Sequence, residues 1–398
     1  MKFLKGLAIS LLSFLLFLSL SIFGFSFMLN STILNPDFVT AELDNLDVSS
    51  LAGEVLSQQV SAGDFPEELA TPIVNTITKL ELPIKGQVNA ATYSIYDYLL
   101  GKKLHPELAT TLRNTILSTE FATSLVDELD IPSLVGAFLK EQLTQQIPKE
   151  MEPLVKYLNE SLDKTLTELE PWMKEQLSTA AGPILDYLLG ESQSLSVVIP
   201  LEPVKESLRD NLRQAFLQSP PPELAGLSPA MLGQTFDVGY QVLAAQIPST
   251  FEIDESLLGT EAPAQIAEAL TKGELALEEG RVYVAGFQLV YKALIGFMVL
   301  LILGIVLINR QVKGATRELG TIFTTYGAFE YAGIFIAKYF SGKELIQLSS
   351  IPSSLQVWLP QLIDNFLAPL EMLSLGLLIG GVVLLVVSFV YKPRQPSD

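Results

Sequence analysis

The chain has no cysteine and only one histidine and two tryptophans in 398 residues. Without cysteine there is neither a disulfide framework nor a thiolate site. A lone imidazole, His105, has no second His or Cys to share a metal, and its place before Pro106 reads as the start of a helix. Phosphate loops, G-x-S-x-G elbows, zinc spacings and kinase signatures are all missing. Basic residues are few, 25 Lys+Arg against 44 Asp+Glu, for a net charge of −19. These absences give no basis for an enzyme, a cofactor or a metal site, and the acidic balance argues against nucleic acid.

What the chain does have is long hydrocarbon. Gly6–Leu29, Leu289–Ile308 and Leu373–Tyr391 are nearly uninterrupted apolar runs, each long enough to cross a bilayer core of about 30 Å. Ile322–Phe340 is a weaker run that carries Glu330 and Lys338. Lys2 and Lys5 precede the first run, Arg310, Lys313 and Arg317 follow the second, and Lys392 and Arg394 follow the last. Cytoplasmic placement of all three basic clusters requires four crossings, which enlists the weaker run as a span. The expected spans in the C-terminal part are about 287–309, 319–340 and 370–391. Both termini are then cytoplasmic in a plasma membrane, and residues 30–285 lie outside. That outer region holds 15 Lys+Arg against 38 Asp+Glu, a net charge of −23. For residues 1–29 a cleaved signal peptide is the rival, but the apolar run is long for one and no A-x-A site follows, so an uncleaved signal anchor is favoured.

The outer region repeats itself. Leu80–Gly101, LELPIKGQVNAATYSIYDYLLG, returns as Leu169–Gly190, LEPWMKEQLSTAAGPILDYLLG, with 11 of 22 positions identical at an offset of 89. Phe38–Leu56 matches Phe121–Leu139 at 9 of 19 positions with an offset of 83. A looser match joins the segments after Leu104 and Leu201. Shared order means a duplicated helical unit, 30–118 and then 119–219, followed by a segment 220–285 that returns to the membrane and by the membrane domain 286–398.

Local signals agree with helices. Asn35-Pro36-Asp37-Phe38 reads as a helix start. Val88, Ala91, Ile95, Tyr98 and Leu99 form one apolar face, repeated by Leu177, Ala180, Ile184, Tyr187 and Leu188, and Gly101 and Gly190 occupy the left-handed position that ends each helix. Gly182-Pro183 should kink or interrupt the second copy. Asp47 and Asp130 read as N-caps. Ser194–Ile199 and Thr250–Ile253 suggest a two-stranded ribbon. Helices are expected at Pro263–Leu277 and, lying at the interface, at Ser353–Leu367. The fold class is an all-α membrane protein with four transmembrane helices and a large, mainly helical outer domain of two tandem repeats.

Three acidic positions and one glycine pair are the candidate functional residues. Glu330 sits mid-span, where an ionisable group costs about 2.5–3.5 kcal/mol, so it suggests ion coupling or, more simply, a hydrogen bond to Tyr291, Thr324 or Ser374. Asp97 and Asp186 persist in both copies near a helix C-terminus, where the macrodipole disfavours an anion. Either they contact a cation or partner, or each bonds a neighbouring Tyr, Arg or backbone amide. Gly376 and Gly380 form a GxxxG pair suited to close helix packing.

The NPDF start after the N-terminal anchor, with Glu170-Pro171-Trp172, Gln176-Leu177 and Ile184–Gly190, resembles a group of uncharacterised prokaryotic integral membrane proteins. That resemblance implies an external helical region and C-terminal spans but no activity. The order of span, large external domain, basic loop and further spans is similar in topology to FtsX/MacB-type permease subunits, and Arg317-Glu318-Leu319-Gly320 matches that family's R-E-hydrophobic-G loop. Thr321–Phe329 departs from its continuation, and its external domain is mixed α/β. The expectation is a non-enzymatic envelope protein whose duplicated domain binds a partner protein or an apolar ligand. The alternative is a transport-associated permease-like subunit, or an ion-coupled transporter using Glu330.

Overall fold

The computed structural model describes residues 2–62, 67–133, 135–136, 152–245, 247–259, 261–344 and 352–391. The matched block beyond Gly136 and the basic residues Lys392 and Arg394 lie outside them. The chain divides into two compact units, one of Met1–Asp47, Thr92–Pro106 and Ala276–Asp398, the other of Val48–Ala91 and Glu107–Leu275.

The first unit holds the apolar helices. These are α1 (Lys2–Ser31), α11 (Ala262–Asn309, from Ala276 onward in this unit), α12 (Val312–Glu344) and α13 (Ser353–Val390). Three of the four, α1, α11 and α13, are long and apolar enough to cross a membrane. Their outward faces show why. On α1, Leu4, Leu7, Leu11, Phe14, Leu18, Ile22 and Phe25 are exposed at spacings of three and four, a continuous apolar stripe that water would penalise and lipid would not. The opposite stripe packs inward, where Leu16 and Leu20 meet Met298, Leu301 and Ile305 of α11 and Leu319, Ile322 and Tyr326 of α12. The protein is therefore a helical membrane protein in a lipid bilayer, crossing it more than once.

α12 and α13 pack along one another, and glycine makes this possible. A Cβ on Gly327 would lie 2.5 Å from the Ser374 carbonyl oxygen and 2.6 Å from the Leu378 nitrogen, and one on Gly381 would lie 2.5 Å from the Thr324 nitrogen. The two backbones touch there. Among the described residues nothing lies within 4 Å of that position on Gly376 or Gly380, so there the expected GxxxG pair does not make the close approach. The expected interfacial helix is not a separate element either. α13 runs unbroken through 38 residues, about 57 Å at the helical rise, so its first turns extend beyond the apolar stretch.

The second unit is built from α3 (Val48–Ala62), the first part of α4 (Glu67–Leu99), α5 (Leu108–Arg113), α6 (Thr119–Glu128), α7 (Glu152–Leu188), α8 (Glu202–Gln218), α9 (Pro229–Ala244), the short α10 (Glu255–Leu258) and the start of α11. Tyr157 of α7, Leu208, Leu212 and Phe216 of α8, and Leu232, Phe236 and Tyr240 of α9 form its core. The ribbon is present: β1 (Ser196–Pro200) and β2 (Thr250–Asp254) pair antiparallel with Val197 opposite Ile253. Pro183 does not interrupt α7, which passes through both Pro171 and Pro183.

The stretches matched at an offset of 89 end in the same way. Gly101 and Gly190 have φ of +79° and +75°. Lys102 N–H and Glu191 N–H each donate at 2.8 Å to the carbonyl of Asp97 and of Asp186, and Gly101 and Gly190 N–H each donate at 3.0 Å to Tyr98 and Tyr187. This is the glycine-terminated helix end read from the sequence. Ala91 and Tyr98 are buried, as are their counterparts Ala180 and Tyr187.

Candidate functional site

A cavity of about 380 Å³ lies within the first unit, between α2 (Pro36–Asp44) and the first turns of α13. α2 starts where the sequence says it should, with Asn35 Oδ1 accepting the Asp37 N–H at 3.1 Å and proline in the first turn. The last turns of α4 hold the α1–α2 junction. Tyr93 Oη donates to Asp37 Oδ1 at 2.8 Å and lies 3.3 Å from Thr40 Oγ1, and Tyr96 Oη donates to the Ile33 carbonyl at 2.5 Å. From α11, the Arg281 guanidinium stacks 4.8 Å above the Tyr98 ring and donates to the Leu104 carbonyl. The wall of the cavity is thus set by side chains that are themselves fixed.

α2 contributes Phe38, Val39, Glu42 and Leu43 to this wall. α13 contributes Trp358, Leu362, Ile363 and Phe366, and Ile33 closes one side. Glu42 is the exception in an otherwise apolar lining. It is only 6% exposed. Its Oε1 accepts from Asn365 Nδ2 at 2.8 Å, and its backbone carbonyl accepts from Trp358 Nε1 at 2.9 Å. Its Oε2 is buried and has no hydrogen-bond partner among the described residues. A carboxylate oxygen held out of water without a donor is costly, and the surface that the cavity itself presents is apolar.

Sequence reasoning missed Glu42, and a signal for it existed. In the block matched at an offset of 83, Phe38 faces Phe121, Thr40 faces Thr123 and Asp44 faces Asp127, while Glu42 faces Leu125. Glu42 is thus a buried carboxylate at a position where the matched block has leucine.

The residues singled out beforehand fall elsewhere. Asp97 pairs with Lys102 at 2.9 Å. Asp186 pairs with Arg113 at 2.9 Å, and the same guanidinium also reaches Glu191 at 2.5 Å. Those contacts hold the Arg113 guanidinium above its usual range, chiefly through the Asp186 hydrogen bond. Each aspartate therefore has a local cation. Glu330 is half-buried on α12, one turn beyond Tyr326, whose hydroxyl is buried without a hydrogen-bond partner among the described residues. Ser374, proposed as its partner, donates instead to the Glu371 carbonyl at 2.9 Å. Lys338 pairs with Glu371 at 2.6 Å and Asp364 at 3.8 Å. Among the described residues no group of three His, Cys, Asp or Glu side chains is placed to hold a metal.

The chain matches no family model, no curated protein and no solved structure.

Proposed function

We propose that this is a non-enzymatic membrane protein of the cell envelope whose helical region outside the cytoplasm is built from two related units, and that it binds an apolar or amphiphilic ligand in the Glu42 cavity. One observation carries the reading: a cavity of ligand-pocket size whose surface is apolar. In this reading α12 is the fourth crossing. Its packing in the same apolar cluster as the three more apolar helices supports that, as do Arg310, Lys313 and Arg317 in and after the α11–α12 turn. The shared helix ends and burial of Ala91/Ala180 and Tyr98/Tyr187 support a duplication.

The test is purification of the intact protein from native membranes with mass spectrometry of what accompanies it. A small molecule with an apolar chain should copurify at near-stoichiometric level and be lost from Leu362→Trp, which fills the cavity. Equal recovery from the filled variant would remove the cavity from the reading.

The transport reading keeps one specific support, the half-buried Glu330 one turn from Tyr326 of the apolar cluster. It predicts that Glu330→Gln abolishes ion-coupled uptake while the protein folds normally. The binding reading predicts an unchanged ligand complement in that variant.

A further inference from the structure

The two glycine-terminated helix ends share a backbone and differ in chemistry. After α4 the chain reads Lys102, Lys103, Leu104 and His105, and after α7 the matched positions read Glu191, Ser192, Gln193 and Ser194. Lys103 N–H and Ser192 N–H add a second bond to the Asp97 and Asp186 carbonyls, at 3.0 and 3.1 Å, so one turn presents a basic and apolar tip in the first copy and an acidic and polar tip in the second. We infer that the tip at residues 101–105 is a bilayer contact, with Leu104 entering the lipid interface and Lys102 and Lys103 meeting lipid phosphates, preferentially those of anionic lipids.

The tip belongs to the same compact unit as the membrane helices, and helix register gives its height. Leu12 of α1 lies against Gly304 of α11, and the Phe23 ring stacks on Tyr291 at 5.7 Å, so the two helices run antiparallel. Carried on, that register sets Leu29, where the apolar run of α1 ends, beside residues 285–286. Arg281 then stands about four residues farther out, about 6 Å at the helical rise. The headgroup layer is about 5–8 Å thick, so Arg281 falls within it. Its guanidinium donates to the Leu104 carbonyl at 2.9 Å, and Tyr96 in the last turn of α4 donates to the Ile33 carbonyl just past α1. The tip is thereby pinned at headgroup level from two sides.

Exposure and charge fit that height. Leu104 is 80% exposed. A lone exposed leucine is ordinary in water, but this one stands where α11 also exposes Val282 and Tyr283, at the edge of the lipid-facing surface of the spans. Lys102 Nζ reaches Asp97 at 2.9 Å and Lys103 Nζ reaches the Ser94 hydroxyl at 2.8 Å, which leaves each ammonium further donors for a phosphate oxygen. No Asp or Glu occurs from Tyr98 to Pro106, a local break in an outer region of net charge −23. Free phosphate would answer the lysines and leave Leu104 in water, whereas a lipid surface answers all three side chains. Because Tyr93 of the same helix end bonds Asp37, the contact would also brace the α1–α2 junction against the bilayer.

The experiment uses the full chain in nanodiscs. The absence of cysteine lets His105→Cys carry a single fluorophore beside an intact Leu104. Phosphatidylcholine discs and discs enriched in phosphatidylglycerol, each with a nitroxide on a shallow acyl carbon, are compared with a soluble nitroxide. Lipid nitroxide should quench the label about threefold more than the soluble one, and quenching should rise about twofold in the anionic discs. Leu104→Ser should halve lipid quenching, and Lys102→Gln with Lys103→Gln should erase the anionic increment. Melting midpoints establish that the variants are folded, and either variant suffices if the other is not. Inorganic phosphate added at constant ionic strength should leave the increment in place. Stronger quenching by the soluble nitroxide, or lipid quenching unchanged in the folded variants, would overturn the contact. Loss of the increment to inorganic phosphate would assign the lysines to the free ion and overturn the lipid source.

Discussion

Glu81 serves two helices at once. It lies on α4, forms an ion pair with Lys85 at 2.6 Å, and accepts the Val48 N–H at 3.3 Å and the Ser49 hydroxyl at 2.5 Å at the start of α3. A carboxylate from a neighbouring helix thereby satisfies orphan donors at a helix start. The Lys85 and Ser49 bonds hold its carboxyl below the usual range against the opposing effect of burial, and at Asp130 the Ser133 hydroxyl and N–H do the same. A carboxyl with a depressed folded-state pKa contributes stability above its unfolded value, about 4.3 for Glu, and loses it as pH falls through the folded value. Thermal melts should therefore show an acid limb below about pH 4 that is shallower in Glu81→Gln. At neutral pH that variant should lose about 1 kcal/mol. An unchanged limb would mean that the α3 start does not depend on Glu81. Asn211, 5% exposed, presents the complementary case, since its Nδ2 reaches Thr165 Oγ1 at 3.0 Å, Glu168 Oε2 at 2.9 Å and Ser207 Oγ at 3.3 Å. Asn211→Leu removes the donor but leaves its acceptors, so urea unfolding should register a loss of about 1–3 kcal/mol. The partners of Glu81 at Val48 and Ser49, and of Asn211 at Thr165 and Glu168, were not legible in the sequence, because they join residues dozens of positions apart and nothing local specifies which helix faces come together. Glu42 was half legible, as a mismatch between two aligned blocks whose meaning depends on what packs against it.

At the scale of elements, periodicity and end signals were informative and length was not. The start of α2 at Asn35-Pro36, the glycine ends at Gly101 and Gly190, and the ribbon of β1 and β2 all stand where local chemistry places them. Helical extent escaped because hydropathy marks the greasy part of a helix and ignores its continuation into water. α11 therefore runs for 48 residues where two shorter elements were read. Of the kink or interruption expected at Gly182-Pro183, the interruption does not occur, since packing along a long helix tolerates one missing backbone bond. The glycine contact was misplaced because a GxxxG spacing identifies two small residues on one face but not which face meets a neighbour. Gly327→Ala and Gly381→Ala should each destabilise the α12–α13 pair by about 1–3 kcal/mol, the cost typical of overpacking, whereas Gly376→Ala and Gly380→Ala should be close to neutral. Melting midpoints of the four variants in one detergent provide the comparison. Equal losses at all four would indicate that Gly376 and Gly380 have a contact outside the chain.

At the scale of the molecule, the apolar runs announced a multi-pass membrane protein, and the outward stripes on its helices agree with that. The side on which the helical region lies governs which amphiphiles can reach the Glu42 cavity, because α2 follows the outer end of α1 in the proposed topology. Charge asymmetry near the spans supports the proposed direction: no Lys or Arg occurs from Asn30 to Thr78 after the first span, and Arg310, Lys313 and Arg317 cluster directly after the second. The lack of cysteine makes that direction measurable without background. Gln193→Cys and Lys313→Cys place single thiols at exposed positions. In intact cells a membrane-impermeant maleimide should label position 193 and spare position 313 until the membrane is opened with detergent. Labelling of 313 but not 193 would put the helical region and its cavity on the cytoplasmic side and contradict the account.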